Sequence, residues 1–192
     1  MTPYTHLKRP LDFILSMIFI LGLSWLWLLI ILTYFITLQF PVFFFQERIG
    51  KNERPFRLIK FRTLKNGGGS VQSRKNFMGN LLRRTSLDEL PQLWNVLKGE
   101  MSLVGPRPLP VHYLPLFSPE QRRRHSIRPG ITGLAQVNGR HGISWEEKFS
   151  YDLYYVQRVS FLYDVHILAM TVGLLLSFKR DVSLEEKPFM GE

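Results

Sequence analysis

No charged residue occurs between Phe13 and Gln46, and the run is dense in Ile, Leu, Phe and Trp. Water is a poor solvent for such a segment, so a bilayer is its expected environment. The run is too long for the apolar region of a signal peptide, and no small-residue cleavage site follows it. As one straight helix it would be about 50 Å long, against a hydrocarbon core of about 30 Å, yet two full crossings need about 40 residues plus a turn. Lys8 and Arg9 precede the run, while Arg48, Lys51, Arg54 and Arg57 follow it. Basic residues at both ends allow both to lie on one side of the membrane. A bent helix that enters and leaves by the same leaflet satisfies length and flanks, and a single tilted span whose tail leaves the core from about Thr37 is the alternative.

The remainder reads as a catalytic or binding part pressed against that membrane face. The chain is expected to divide into residues 1–40, a re-entrant membrane helix, and residues 41–192, a cytosolic and interfacial catalytic domain of α+β class, mostly helical with one small β-hairpin and amphipathic helices at the membrane interface. The hairpin is predicted in QERIGKNERPFRLIKFRTL, around a Gly50–Asn52 turn. Asn66–Ser70 and the polar stretch to Asn76 read as a flexible loop. Phe161–Phe178 reads as an amphipathic or core helix, too short to span, ending in Lys179-Arg180. Leu109–Phe117 looks interfacial, and Arg122–Arg124 are assigned to anionic headgroups.

With 192 residues there is room for one domain and an appendage. The absence of cysteine excludes a disulfide scaffold and thiolate metal sites. A net charge of +10 asks for an anionic partner: nucleic acid, lipid headgroups or a phosphate-bearing substrate. There is no P-loop, no GxGxxG and no zinc-spaced histidine cluster. Nucleic acid is disfavoured because the basic residues are not interleaved with an aromatic stacking platform.

Charge is distributed unevenly. From Arg48 to Arg84 there are eleven Lys or Arg and one acid, Glu53, and then Asp88 and Glu89 stand side by side in SLDELP. Surrounding cations favour the ionised form of an acid, so both carboxylates are expected to be charged. Ser86 and Glu89 match a capping box and Pro91 suits a helix start, which places the pair in a first helical turn. Adjacent side chains on a helix diverge by roughly 100°, so the two acids are expected to take different roles.

The run SLDELPQLWNVLKGEMSLVGPRPL (86–109), with IKFRTL (59–64), RPGITGLAQVNGR (128–140) and SWEEKFSYDLYYV (144–156), resembles the monotopic phosphoglycosyl transferases, a family of bacterial sugar transferases. The likeness covers nearly the whole chain. The short length is similar to enzymes that use a diacetylbacillosamine nucleotide in protein glycosylation. Where relatives commonly break the membrane helix with Ser-Pro, this chain reads Ser24-Trp25, with Gly22 nearby.

The resemblance implies transfer of a sugar 1-phosphate from a UDP-sugar to polyprenyl phosphate at the cytoplasmic face of the bacterial inner membrane, with release of UMP. Other sugars of galactose or GlcNAc type are the alternative. A membrane-anchored binding module and a scaffold subunit are lesser ones. Asp88 is expected to be the nucleophile and Glu89 a catalytic Mg2+ ligand. Lys60, Arg62, Arg83 and Arg107 are candidates for the diphosphate, with Pro106 shaping the Arg107 loop. Arg128, Gln136, Asn138 and Arg140 offer donors to a uracil edge or phosphate. Asp152 is expected to orient a cation or contact the nucleotide, with pairing to a nearby arginine as the alternative.

Overall fold

The computed structural model describes residues 4–65, 67–68, 73–74, 76–139, 142–177 and 188–191. In it the apolar run forms two helices, α1 (Tyr4–Gly22) and α2 (Ser24–Ile36), bent by 58° at Leu23. No single helix among the described residues is long and apolar enough to cross a membrane. The bend falls between Gly22 and Ser24, and bonds from Leu23 N to Phe19 O (2.9 Å) and from Trp27 N to Leu23 O (3.0 Å) still bridge it. One face of the pair is bare: Ile18, Leu21, Trp25, Leu28, Leu32 and Phe35 are all exposed.

Both ends of the pair nevertheless rest on the rest of the chain. Near the start, the Arg9 guanidinium donates to the carbonyls of Val96 (2.5 Å) and Leu97 (2.8 Å). Asp12 accepts from Ser102 Oγ at 2.7 Å. Near the end, buried Ile30 and Tyr34 pack with Phe61 and Leu82.

The expected hairpin is present. β1 (Phe43–Ile49) and β2 (Pro55–Phe61) pair antiparallel, from Phe43 opposite Phe61 to Ile49 opposite Pro55, around a 3-10 turn at Lys51–Glu53. Alternation puts Phe56 and Leu58 on a buried face of β2, where they meet Val96 and Met101. Next come α3 (Phe77–Arg84), α4 (Gln92–Lys98) and the short strand β3 (Ser102–Val104). After α5 (Pro119–Arg122) and a 3-10 turn at Arg123–Ser126, β4 (Gly130–Thr132) pairs parallel with β3. The chain continues through α6 (Leu134–Asn138), α7 (Trp145–Gln157) and α8 (Phe161–Leu176). The class is therefore α+β, mostly helical, with two small sheets.

Two expectations change. Leu109 and Phe117 are buried in an aromatic cluster with Phe149 and Phe189, so the two ends of this stretch build core, while Leu116 between them is exposed. The headgroup assignment fails for Arg124, which is 3% exposed, while Arg122 is part-exposed and pairs with Glu53 at 3.1 and 2.9 Å. Most of the loop 66–72 and the basic end at Lys179-Arg180 lie outside the described residues.

Candidate active site

Four elements converge on the acidic pair. β2 supplies Lys60, on the same face as Phe56 and Leu58. Asn95, fully buried on α4, fixes that strand by accepting from Ile59 N (3.1 Å) and donating to Arg57 O (2.8 Å). α3 supplies Arg83, whose Nε donates to Thr63 Oγ1 at 2.7 Å. This helix lies so close to Thr63 that a Cβ on Gly79 would sit 1.9 Å from the Thr63 carbonyl oxygen. The loop after β3 supplies Arg107.

Asp88 and Glu89 lie in a 3-10 turn, Leu87–Glu89, ahead of α4, and Pro91 caps that helix. The predicted capping box does not form. Ser86 adopts a left-handed backbone (φ 56°), its side chain makes no capping bond, and its amide donates to Arg83 O at 3.2 Å. The Glu89 side chain is instead drawn to cations. Its Oε1 accepts from Lys60 Nζ at 2.5 Å and lies 3.5 Å from Arg107 Nη2.

The two acids differ electrostatically. Burial acts on Glu89, but Lys60, Arg107 and Arg48 override it and hold its carboxyl at about 2. At Asp88, 9% exposed, burial prevails: the carboxyl rises to about 6, against the pull of Lys60, Arg83 and Arg107 and with a push from Glu89. The cations act on Asp88 in the expected direction, but desolvation, which opposes them, is the larger effect. Among the described residues no hydrogen bond is donated to its carboxylate. With its pKa at about 6 this carboxyl is mostly ionised at neutral pH, and it is buried with no donor among the described residues, an arrangement that leaves its oxygens open to react.

Other candidates fall into place unevenly. Arg62 stacks over Phe44 (5.8 Å), and its carbonyl accepts from the Tyr34 hydroxyl. Arg128 donates to Gly99 O (2.8 Å), Gln136 to Ile131 O (3.1 Å) and Asn138 to Leu134 O (2.8 Å). Arg140 lies outside the described residues. Of the two alternatives for Asp152, the arginine partner is observed: it is 3% exposed and bonded to Arg124.

Arg48 and Thr63 were not singled out from the sequence. Arg48 lowers the Glu89 carboxyl and its Nη1 donates to Pro108 O at 3.1 Å, and its only sequence signal is its place in the basic stretch.

This cation-ringed acid pair, carried on a strand, a turn and a loop, occurs in a chain that matches the bacterial sugar transferase family over residues 3–178. The chain belongs to that family. Bacterial sugar transferases similar to it include the uncharacterized sugar transferase EpsL of Bacillus subtilis, 52% identical over 142 residues, 71% of this chain and 70% of the relative. The UDP-glucose:undecaprenyl-phosphate glucose-1-phosphate transferase of Xanthomonas campestris is 40% identical over 190 residues, 90% of this chain but 39% of the relative. An N-acetylgalactosaminephosphotransferase of Aeromonas hydrophila that acts on undecaprenyl phosphate is 35% identical over 188 residues, 91% of this chain and 44% of its own length.

Proposed function

We propose that this protein transfers a sugar 1-phosphate from a UDP-sugar to undecaprenyl phosphate through a covalent intermediate on Asp88. The observation that carries this reading is the contrast within the acid pair: Glu89 is engaged by Lys60 and Arg107, and Asp88 is charged at neutral pH and bonded to nothing among the described residues. A carboxylate oxygen of Asp88 attacks the β-phosphorus of the donor. The bond from that phosphorus to the bridging oxygen breaks, UMP leaves with the electron pair, and an acyl-phosphate carrying the sugar remains. A phosphate oxygen of the polyprenyl acceptor then attacks the same phosphorus, and Asp88 leaves as carboxylate.

Lys60, Arg83 and Arg107 neutralise the diphosphate, whose anionic oxygens would otherwise repel the nucleophile. Among the described residues no three His, Asp or Glu converge into a closed metal cage. Glu89, a carboxylate held ionised by Lys60 and Arg107, is the residue that would share Mg2+ with substrate phosphates. Bound there, the ion would supply further charge neutralisation.

Because the acceptor is a lipid, the site belongs at headgroup level, and the bent α1–α2 pair acts as a re-entrant membrane anchor. Its two ends pack on one and the same domain, through Arg9 and Asp12 at the start and Tyr34 at the end, which supports entry and return through one leaflet, the cytoplasmic leaflet of the bacterial inner membrane. The sugar is an open member of the UDP-hexose and UDP-N-acetylamino-sugar class, diacetylbacillosamine included, in the first membrane step of glycan assembly.

The test is to incubate purified protein with UDP-glucose, UDP-galactose, UDP-GlcNAc, UDP-GalNAc or UDP-diacetylbacillosamine, plus Mg2+ and undecaprenyl phosphate. The expected nucleotide product is UMP for at least one donor. UDP as the product would mean simple glycosyl transfer and end the two-step scheme.

A further inference from the structure

The Arg107 loop is held more tightly than loops usually are. Four consecutive carbonyls each accept a hydrogen bond: Pro106 from Gly130 N (3.0 Å), Arg107 from Arg124 Nη2 (2.8 Å), Pro108 from Arg48 Nη1 (3.1 Å) and Leu109 from Ile49 N (2.9 Å). The bond to Arg107 itself comes from a guanidinium removed from solvent, with side-chain exposure of 2% for Arg124 and 3% for its partner Asp152.

The geometry of that pair is unusual for one built only to stabilise. A carboxylate meeting arginine at its best offers both oxygens to two parallel donors. Here Arg124 Nε (2.9 Å) and Nη2 (2.6 Å) both converge on Asp152 Oδ2, and Oδ1 is buried without a hydrogen bond among the described residues. The same Nη2 also reaches the Arg107 carbonyl. The guanidinium also lies against the rings of Phe117 (5.9 Å) and Phe149 (5.5 Å), which line one side of it. A buried ion pair contributes little net stability against a well-packed apolar replacement, so stability alone is a weak account of it.

We infer that Arg124 and Asp152 are positioning residues for the reaction: the pair aims Arg124 at the Arg107 carbonyl and thereby fixes the Arg107 guanidinium opposite Glu89, where the diphosphate binds. Asp152 acts only through Arg124, and Arg124 only through the backbone of residue 107.

The inference rests on the proposed transfer for its assay, UMP release. Wild-type protein that releases no UMP from any donor fails that earlier reading before a variant is made. Given an active wild type, the decisive variant is Arg124→Leu combined with Asp152→Leu, which removes the charges together and leaves no unpaired ion. Expected is a folded protein whose kcat/KM falls at least about tenfold, through a raised KM for the UDP-sugar, because small misplacements of a binding group are costly. In an Arg107→Ala background the same pair should cost no more than about twofold, since contacting positions are non-additive. Wild-type activity in the folded double variant, or costs that multiply in the Arg107→Ala background, would overturn the inference. Should the apolar pair not fold, Arg124→Lys keeps the charge opposite Asp152 but lacks the arm that reaches residue 107; the same loss is expected, and full activity refutes the positioning role.

Discussion

Asp88 and Asp164 are almost equally buried, at 9% and 5% exposure, yet the protein treats them oppositely. Asp164, on α8, is surrounded by donors: Tyr155 Oη at 2.6 Å on one oxygen, Tyr4 Oη at 2.7 Å and Lys8 Nζ at 2.5 Å on the other. Asp88 is surrounded by charge at a distance and hydrogen-bonded by nothing among the described residues. The first arrangement is how a buried acid is made structural, because every lone pair that matters is satisfied. The second leaves the oxygen without a donor among the described residues, as the proposed nucleophile requires. Burial alone therefore does not distinguish a framework acid from a chemical one; the placement of donors does.

The comparison breaks most visibly at the pair itself. Asp88→Asn should lower UMP release by about 1,000-fold or more and abolish the sugar-phosphate adduct, whereas Glu89→Gln should cost about 100-fold and still form some adduct, because in the proposed mechanism one forms the bond to phosphorus and the other holds charge. Mass spectrometry of each variant with donor alone checks it; an adduct persisting in Asp88→Asn would move the nucleophile elsewhere.

At Asp164 the effect should appear in stability instead. Asp164→Asn leaves Lys8 poorly matched and should cost about 3 kcal/mol of unfolding free energy, with activity per folded molecule changed by less than about threefold. Denaturant unfolding in detergent alongside UMP assays separates the two. A large catalytic loss at unchanged stability would erase the distinction drawn above.

An effect absent at neutral pH and confined to acid is expected at His125, 6% exposed, beside Arg122 and Arg124, against Phe117 and 3.5 Å from Glu53. Burial, with Arg124 and Arg122 adding to it, pushes its imidazolium pKa down from 6.5 to about 3. The unfolded chain then binds the proton that the folded one refuses. Stability is full above pH 6.5 and falls as pH drops toward 3, at no more than about 1.4 kcal/mol per unit. His125→Gln should flatten this part of the pH profile, and an unchanged slope would show that the imidazole is not its source.

Much of this was legible from sequence because it is local. The hairpin follows from alternation around a turn within 19 residues, and the acid pair stands out against a basic stretch. What was misread depended on distance or on three-dimensional burial. Ser86 and Glu89 have capping spacing, but Pro91 delays α4 to Gln92 and the left-handed Ser86 turns the segment into a 3-10 turn. Arg124 looked like a headgroup ligand because its partner lies 28 residues away and its aromatic walls come from Phe117 and Phe149. Counting cations around Asp88 gave the right sign of their influence and missed the larger effect of desolvation.

Arg9 lies only four residues before the uncharged run and closes the last carbonyls of α4, the helix that the acid pair leads into. The start of α1 is thus a splint for the site. Removing the start of α1 would strip two hydrogen bonds from the helix that follows the acid pair, take the Tyr4 and Lys8 donors from Asp164 while leaving Tyr155, and deprive Ser102 of Asp12, so the first helix and the alignment of the site are one mechanical adjustment.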